Sequence, residues 1–162
     1  MLTEARRRNP DLRFQVGSMT NLDFDDGHFE GICAWYSVIH IPDDQLPHVL
    51  SEFRRVLRPG GWVLLAFQVG EQPREFKQMC GEQVSWTCYR RQPDTVALLL
   101  EEAGLEPYAG LVREPKRRRL RIDATCLSDR PSNVSLYRQS GHRLGHRDVS
   151  FEAKICGLSL IH

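Results

Sequence analysis

The chain of 162 residues suits one domain long enough to bury a core, and 41% hydrophobic with 27% charged residues is an ordinary globular composition. No apolar run approaches the length of a membrane span, and Met1 leads into Thr3-Glu4-Ala5-Arg6-Arg7-Arg8 without the apolar core of a signal peptide. The net charge of +1 hides an asymmetry: residues 116–162 hold ten Lys/Arg against four Asp/Glu, and the first 115 hold twelve against seventeen. Two compositions therefore join near Pro115, and the expected organisation is one domain over 1–115 followed by a basic tail over 116–162.

Leu2 to Arg8 reads as the last turns of a helix, ended by Asn9-Pro10. Leu12 to Val16 reads as a strand. Asn21 to His28 is a polar turn carrying Asp23, Asp25, Asp26 and Gly27, with Phe24 and Phe29 bracketing it and packing inward. Gly31 to Ser37 is a strand whose centre, Ile32-Cys33-Ala34-Trp35, is apolar on both faces, as for a strand covered on each side. Cys33 there reads as a small buried hydrophobe. The five cysteines are odd in number, widely spaced and form no CxxC pair, so a reduced, cytoplasmic protein is expected.

Gln45 to Leu57 carries apolar residues at Leu46, Val49, Leu50, Phe53, Val56 and Leu57, a 3.6-residue stripe that predicts a helix. Arg58-Pro59-Gly60-Gly61 stops it, with Gly60 the natural left-handed residue. Trp62 to Phe67 is again an apolar, two-sided strand. Strand, crossover helix and strand form a βαβ unit, so these two strands should run parallel. Ligands of such sheets bind beyond the carboxyl ends of the strands. The polar residues just past those ends are Gly17-Ser18-Met19, Tyr36-Ser37 with His40, and Gln68.

Gly70 to Gly81 is polar and reads as a lid or substrate loop. Val84 to Arg90 reads as a strand. Pro93 to Ala103 reads as a helix, with Pro and Asp94 in the first turn and Gly104 past the end. Tyr108 to Val112 is a further strand. Leu120 to Leu127 is expected as one more strand in the tail. Pro131 to His146 shows no countable period, and Phe151 to Ile161 is weakly apolar.

Val16-Gly17-Ser18-Met19, Leu22-Asp23-Phe24, Trp35-Tyr36-Ser37-Val38-Ile39-His40 and Glu52-Phe53-Arg54-Arg55-Val56-Leu57-Arg58-Pro59-Gly60-Gly61 together resemble class I S-adenosylmethionine-dependent methyltransferases of the small-molecule type. Leu99-Leu100-Glu101-Glu102-Ala103-Gly104-Leu105 and Arg113-Glu114-Pro115 extend the likeness, which covers residues 1 to about 115. The resemblance implies an α/β fold, a partial Rossmann-like sheet that is mostly parallel with an antiparallel strand near the C-terminus. It also implies S-adenosylmethionine as cofactor. The start of the chain resembles the family helix after the second strand, so the Gly-rich cofactor loop is missing and the Leu12–Val16 strand lacks its central neighbour. Unpaired buried backbone groups cost about 1–3 kcal/mol each, so an oligomer or partner chain is expected to cover the incomplete sheet.

By this resemblance Ser18, Met19 and Ser37 would contact the cofactor, while Tyr36 and His40 would flank the methyl path, His40 as a general base. Three of them have an alternative: Ser18 and Met19 as an ordinary turn, His40 packed near Pro42. Trp35 and Trp62 read as core, and Trp86 as either pocket or packing. Asp43 and Asp44 read as helix-start carboxylates. His142 and His146 are too poorly supported for a metal site, and no metal is expected. Lys116 to Arg121 reads as a solvated basic run, so neither nucleic acid nor membrane is an expected partner. The function implied is methyl transfer from S-adenosylmethionine to a small organic acceptor, impaired by the N-terminal truncation. The alternative is a non-catalytic remnant serving as a binding or assembly partner.

Overall fold

The structure, a computed structural model, describes residues 2–79, 82–113 and 132–139. Helix α1 (Leu2–Arg8) precedes strand β1 (Phe29–Trp35), a 3-10 turn (Val38–His40) and helix α2 (Leu46–Val56). Then follow β2 (Leu57–Gln68), β3 (Arg74–Met79), β4 (Glu82–Cys88), helix α3 (Pro93–Glu102), β5 (Leu105–Arg113) and β6 (Ser132–Gln139). Four strands form one sheet in the order β1-β2-β6-β5, and β3-β4 form a separate hairpin. β1 and β2 are parallel, whereas β6 runs antiparallel to both neighbours. The expected α/β sheet, mostly parallel with one antiparallel strand late in the chain, is thus the observed one.

The helix stripe is buried as its spacing demands: Leu46, Val49, Leu50, Phe53 and Val56 are at most 3% exposed. They pack with Ala34, Val63, Leu65 and Phe67 of the sheet, and α3 adds Val96 and Leu100 to the same core. Phe24 and Phe29 meet edge to face at 4.7 Å and pack on this core, as expected. α2 ends when Leu57 turns extended, and Gly60 takes φ +79° two residues before β2 pairs with Gly31. Gly61 has a different reason: a Cβ there would lie 2.9 Å from both Arg58 O and Glu30 O.

Four expectations need correction. Leu12–Val16 joins no strand ladder; Leu12 is 44% and Val16 69% exposed. An apolar run becomes a strand only beside a partner, and among the described residues β1 has none on its outer edge. Gly70–Gly81 is not an irregular loop but holds β3, which pairs Phe76 with Trp86. Pro131–His146, which showed no period, contains β6. That strand buries Ser135, Tyr137 and Gln139, an alternation invisible to a search for apolar residues.

Trp35, expected in the core, is 57% exposed, and Trp62 and Leu64 are only half-buried. α2 and α3 pack on the opposite side of the sheet from these residues, so among the described residues neither covers the face they share. The expected strand at Leu120–Leu127, the Lys116–Arg121 run, His142, His146 and Phe151–Ile161 lie outside the described residues.

β6 is held by a polar contact rather than an apolar one. Gln139 is 1% exposed, and its amide nitrogen donates to Leu57 O and Arg58 O, both at 2.7 Å, while its oxygen accepts from the Arg54 guanidinium. Gln139 thereby ties β6 to the corner where α2 passes into β2.

Gly61→Ala should destabilise the fold by about 1–3 kcal/mol, because the new methyl meets the Arg58 and Glu30 backbone oxygens as well as the Leu57 side chain. Gly17→Ala, whose Cβ would meet nothing within 4 Å, should stay within about 0.5 kcal/mol of the parent. Urea midpoints of the two variants compare them directly.

Candidate functional site

The carboxyl ends of β1 and β2 sit side by side, with Trp35 paired to Ala66. Chain leaves β1 through Tyr36, which adopts φ 53°, the only described non-glycine residue in the left-handed region. Its N–H still donates to Ala66 O at 2.9 Å, so the strain falls at the last paired residue of the strand. A left-handed non-glycine residue costs about 1–3 kcal/mol and persists where the surroundings over-determine it. Ser37 follows at the start of the 3-10 turn and makes no side-chain cap. His40, at the end of that turn, is exposed, with its ring centroid 5.2 Å from Trp86.

The turn is pinned by a buried cation. Arg91 has a side chain only 5% exposed, and its guanidinium donates to Val38 O at 3.0 Å, to Ile41 O, to Tyr89 O at 3.4 Å and to Asp43 Oδ1 at 2.8 Å. Burial pulls its pKa below the usual guanidinium value, against the opposing pull of Asp43. Tyr89 N–H adds a bond to Ile39 O at 2.8 Å. Asp43 therefore serves as a counter-ion to Arg91, not as half of an acid/base pair.

Ser18 and Met19 lie in a turn closed by Asn21 N–H on Ser18 O at 3.2 Å, and the Ser18 and Thr20 hydroxyls are 2.7 Å apart. Met19 is 4% exposed within the core, so Ser18 is the half-buried, partly accessible member of the pair. The turn is docked on α2: a His48 ring nitrogen lies 2.8 Å from Thr20 O, and Leu22 N–H donates to Glu52 Oε2 at 3.0 Å. Arg55 completes the clamp on Glu52, Asp26 and the Leu22 and Phe24 carbonyls. Tyr36, Ser37 and His40 thus share one edge of the sheet. Ser18 and Met19 reach the same core from the flank of α2.

Arg91 and Cys88, also at this edge, were not singled out as a site; Trp86, read as either pocket or packing, lies beside them. Arg91 sits in the doublet Arg90-Arg91, which reads as surface charge, so no local signal distinguishes it. Gln68, noted at its strand end, is 1% exposed and accepts a hydrogen bond from the Cys88 thiol at 3.3 Å.

This arrangement, a parallel pair with helices on one side and an antiparallel strand inserted before the last, is the fold of class I methyltransferases. Among solved structures the chain is similar to an S-adenosylmethionine-dependent methyltransferase of Methanosarcina mazei, with TM-score 0.69, 18% identity, 87% of this chain and 77% of that one covered. It is also similar to the Burkholderia thailandensis 1,6-didemethyltoxoflavin-N1-methyltransferase solved with 1,6-didemethyltoxoflavin and S-adenosylhomocysteine. That match has TM-score 0.59 and 17% identity, and covers 86% of this chain and 56% of the other.

Residues 1–61 match a family described as a methyltransferase domain. The demethylmenaquinone methyltransferase of Beutenbergia cavernae is 40% identical over 68 residues, 41% of this chain and 27% of that protein. Its counterpart from Chlorobaculum tepidum is 38% identical over 61 residues, 38% of this chain and 24% of that protein. The likeness to a methyltransferase domain thus lies in residues 1–61, and the fold is shared with S-adenosylmethionine-dependent methyltransferases. The chain spans about a quarter of the length of the curated relatives it matches.

The Glu52 clamp carries a pH dependence. Its hydrogen bonds from Arg55 are the main reason that the carboxyl is held at about 2, below the ordinary 4.5, despite partial burial. The folded pKa is depressed, so the stabilisation is complete above pH 4.5 and is lost as pH falls through about 2. Glu52→Gln should flatten the acid limb of the unfolding curve and cost about 1 kcal/mol at neutral pH. Thermal midpoints measured across that window read both effects.

Proposed function

We propose that this chain contributes the methyl-path side of an S-adenosylmethionine-dependent methyltransferase acting on a small organic acceptor. The observation that carries the reading is the strained Tyr36 at the carboxyl end of β1, followed within four residues by Ser37 and His40. The curated relatives are named for a small-molecule acceptor, demethylmenaquinone, and this supports an organic acceptor here. The side chains present suit part of the cofactor: two hydroxyls, Ser18 and Ser37, for its polar groups, and the Tyr36 ring for its cationic sulfur. The cofactor when bound supplies an electrophilic methyl group on a sulfonium.

Each residue then has a defined task. Tyr36 and Ser37 hold one side of the methyl path, and Ser18 supports the far end of the cofactor. His40, exposed and fixed by its turn, takes the proton that the attacking heteroatom of the acceptor releases. Direct displacement needs the attacking and leaving atoms in line, so positioning supplies most of the acceleration. No helix among the described residues is long and apolar enough to cross a membrane. Cys33 and Cys88 carry thiols, which supports a reducing compartment such as the cytoplasm.

A second reading rests on a different observation. Trp35, Tyr108 and Leu111 are 57%, 70% and 66% exposed, so the sheet presents apolar surface suited to another chain. In that reading the protein is a non-catalytic binding or assembly partner that keeps a methyltransferase scaffold.

Calorimetric titration with S-adenosylhomocysteine separates the two. Saturable micromolar binding, weakened about fivefold by Ser37→Ala, supports the transferase. A folded chain that releases no heat leaves the partner reading.

A further inference from the structure

Two unmet needs of this chain match each other. The outer edge of β1 pairs with nothing among the described residues, and Leu12–Val16 joins no ladder. Leu12 and Val16 are 44% and 69% exposed. Among the described residues, no N–H of Arg13, Phe14, Gln15 or Val16 has a backbone acceptor. The segment alternates as a strand does, with Leu12, Phe14 and Val16 on one side and Arg13 and Gln15 on the other. Just after it the chain is anchored, because Met19 and Leu22 are buried and Leu22 N–H donates to Glu52 of α2.

The two outer edges of the sheet are not equivalent. β5 bounds the far side among the described residues, but Pro107 has no N–H to offer and the register shifts between Pro107 and Ala109. Glu106 and Arg113 put charge near both its ends. Proline, bulges and charge all discourage pairing along an edge. β1 shifts register only at its start, between Phe29 and Gly31, and Gly31-Ile32-Cys33-Ala34-Trp35 carries neither proline nor charge. Glu30, just before that run, is tied to Arg58.

An open strand edge accepts another extended segment through main-chain N–H and C=O groups. This chain carries such a segment, and it does not lie on its own β1. Two copies related by a two-fold axis meet both needs at once, whereas a foreign strand on β1 would leave Leu12–Val16 unpaired. We infer that the chain dimerises by strand exchange, Leu12–Val16 of each copy pairing on the β1 edge of the other. With Leu12, Phe14 and Val16 turned to the side of Cys33 and Trp35, the exchange also shelters Trp35, which is 57% exposed. It uses neither Ser37 nor His40, so it holds under either function proposed above.

Sedimentation velocity of the full chain from about 1 to about 100 μM, combined with amide hydrogen exchange, tests this. We expect a reversible dimer whose formation protects the amides of Leu12–Val16 and of Gly31–Trp35 together. Gln15→Pro and Val16→Pro each remove one N–H, from opposite sides of a segment that no ladder of the single copy needs. Circular dichroism of both should match the parent, and at least one should weaken the dimer about tenfold or more. An unlabelled peptide of residues 11–17 should shift the Gly31–Trp35 amide signals of the labelled chain and leave those of β5 in place. A chain still monomeric at about 100 μM overturns the inference. So does a dimer that both proline variants leave unchanged, or one that protects β5 instead of β1. The exchange pattern of the unmodified chain decides this even where a variant fails to fold. Binding of S-adenosylhomocysteine by a monomer would remove the strand exchange and leave the transferase reading standing.

Discussion

Arg91 is the point on which the carboxyl edge of the sheet depends. A guanidinium taken almost wholly out of water must recover its lost hydration from fixed acceptors, and few places in a protein offer enough of them. Here it finds the carbonyls of Val38, Ile41 and Tyr89 and one carboxylate, Asp43. Those acceptors belong to the 3-10 turn, the approach to α2 and the exit from β4. One side chain thus ties three separate stretches together, and moving any of them would strand a buried charge. The turn that carries His40 inherits its rigidity from this requirement.

A different constraint acts on the sheet. α2 and α3 cover one side, while Trp35, Tyr108 and Leu111 on the sheet remain largely in water and β1 offers an edge with no partner among the described residues. Apolar surface of this kind marks an interaction site or a place where further structure packs. Trp62 and Tyr108 meet edge to face at 4.9 Å across β6, so part of this surface is already pre-assembled rather than scattered. The segment Leu12–Val16 shows the same constraint from the other side. Its residues are those of a strand, yet with no neighbouring strand among the described residues it joins no ladder, and Leu12 and Val16 stay exposed.

How much of this was legible in the sequence follows from how local each signal is. The α2 stripe, the Pro93 start of α3 and the Gly104 stop are written within one element, and they were read correctly. Gly104 indeed takes φ +80° and its N–H donates to Glu101 O. The parallel pairing of β1 with β2 followed from a rule of handed crossovers and also held. β6 escaped because its buried face is Ser135, Tyr137 and Gln139; only the contact of Gln139 with the end of α2 makes that polar face sensible. Trp35 was assigned to the core on hydrophobicity alone, which cannot say whether a sheet is covered on one side or two. At the edge itself, Tyr36, Ser37 and His40 were marked by position after a strand, whereas Arg91 carries no local mark.

The strain at Tyr36 and the clamp at Arg91 are better understood together than apart. A left-handed tyrosine at the last hydrogen-bonded position of β1 redirects the chain sharply, and left alone it would relax toward an ordinary strand exit. It does not relax, because the residues that follow are anchored: Val38 and Ile39 are 1% exposed in the core, and the Val38 and Ile41 carbonyls are held by Arg91. The cost of the strain is therefore met by burial and by a buried charge two elements away. Its product is a short segment in which Tyr36, Ser37 and His40 have little freedom. A displacement reaction that depends on alignment gains most from groups whose positions are set before the reactants arrive.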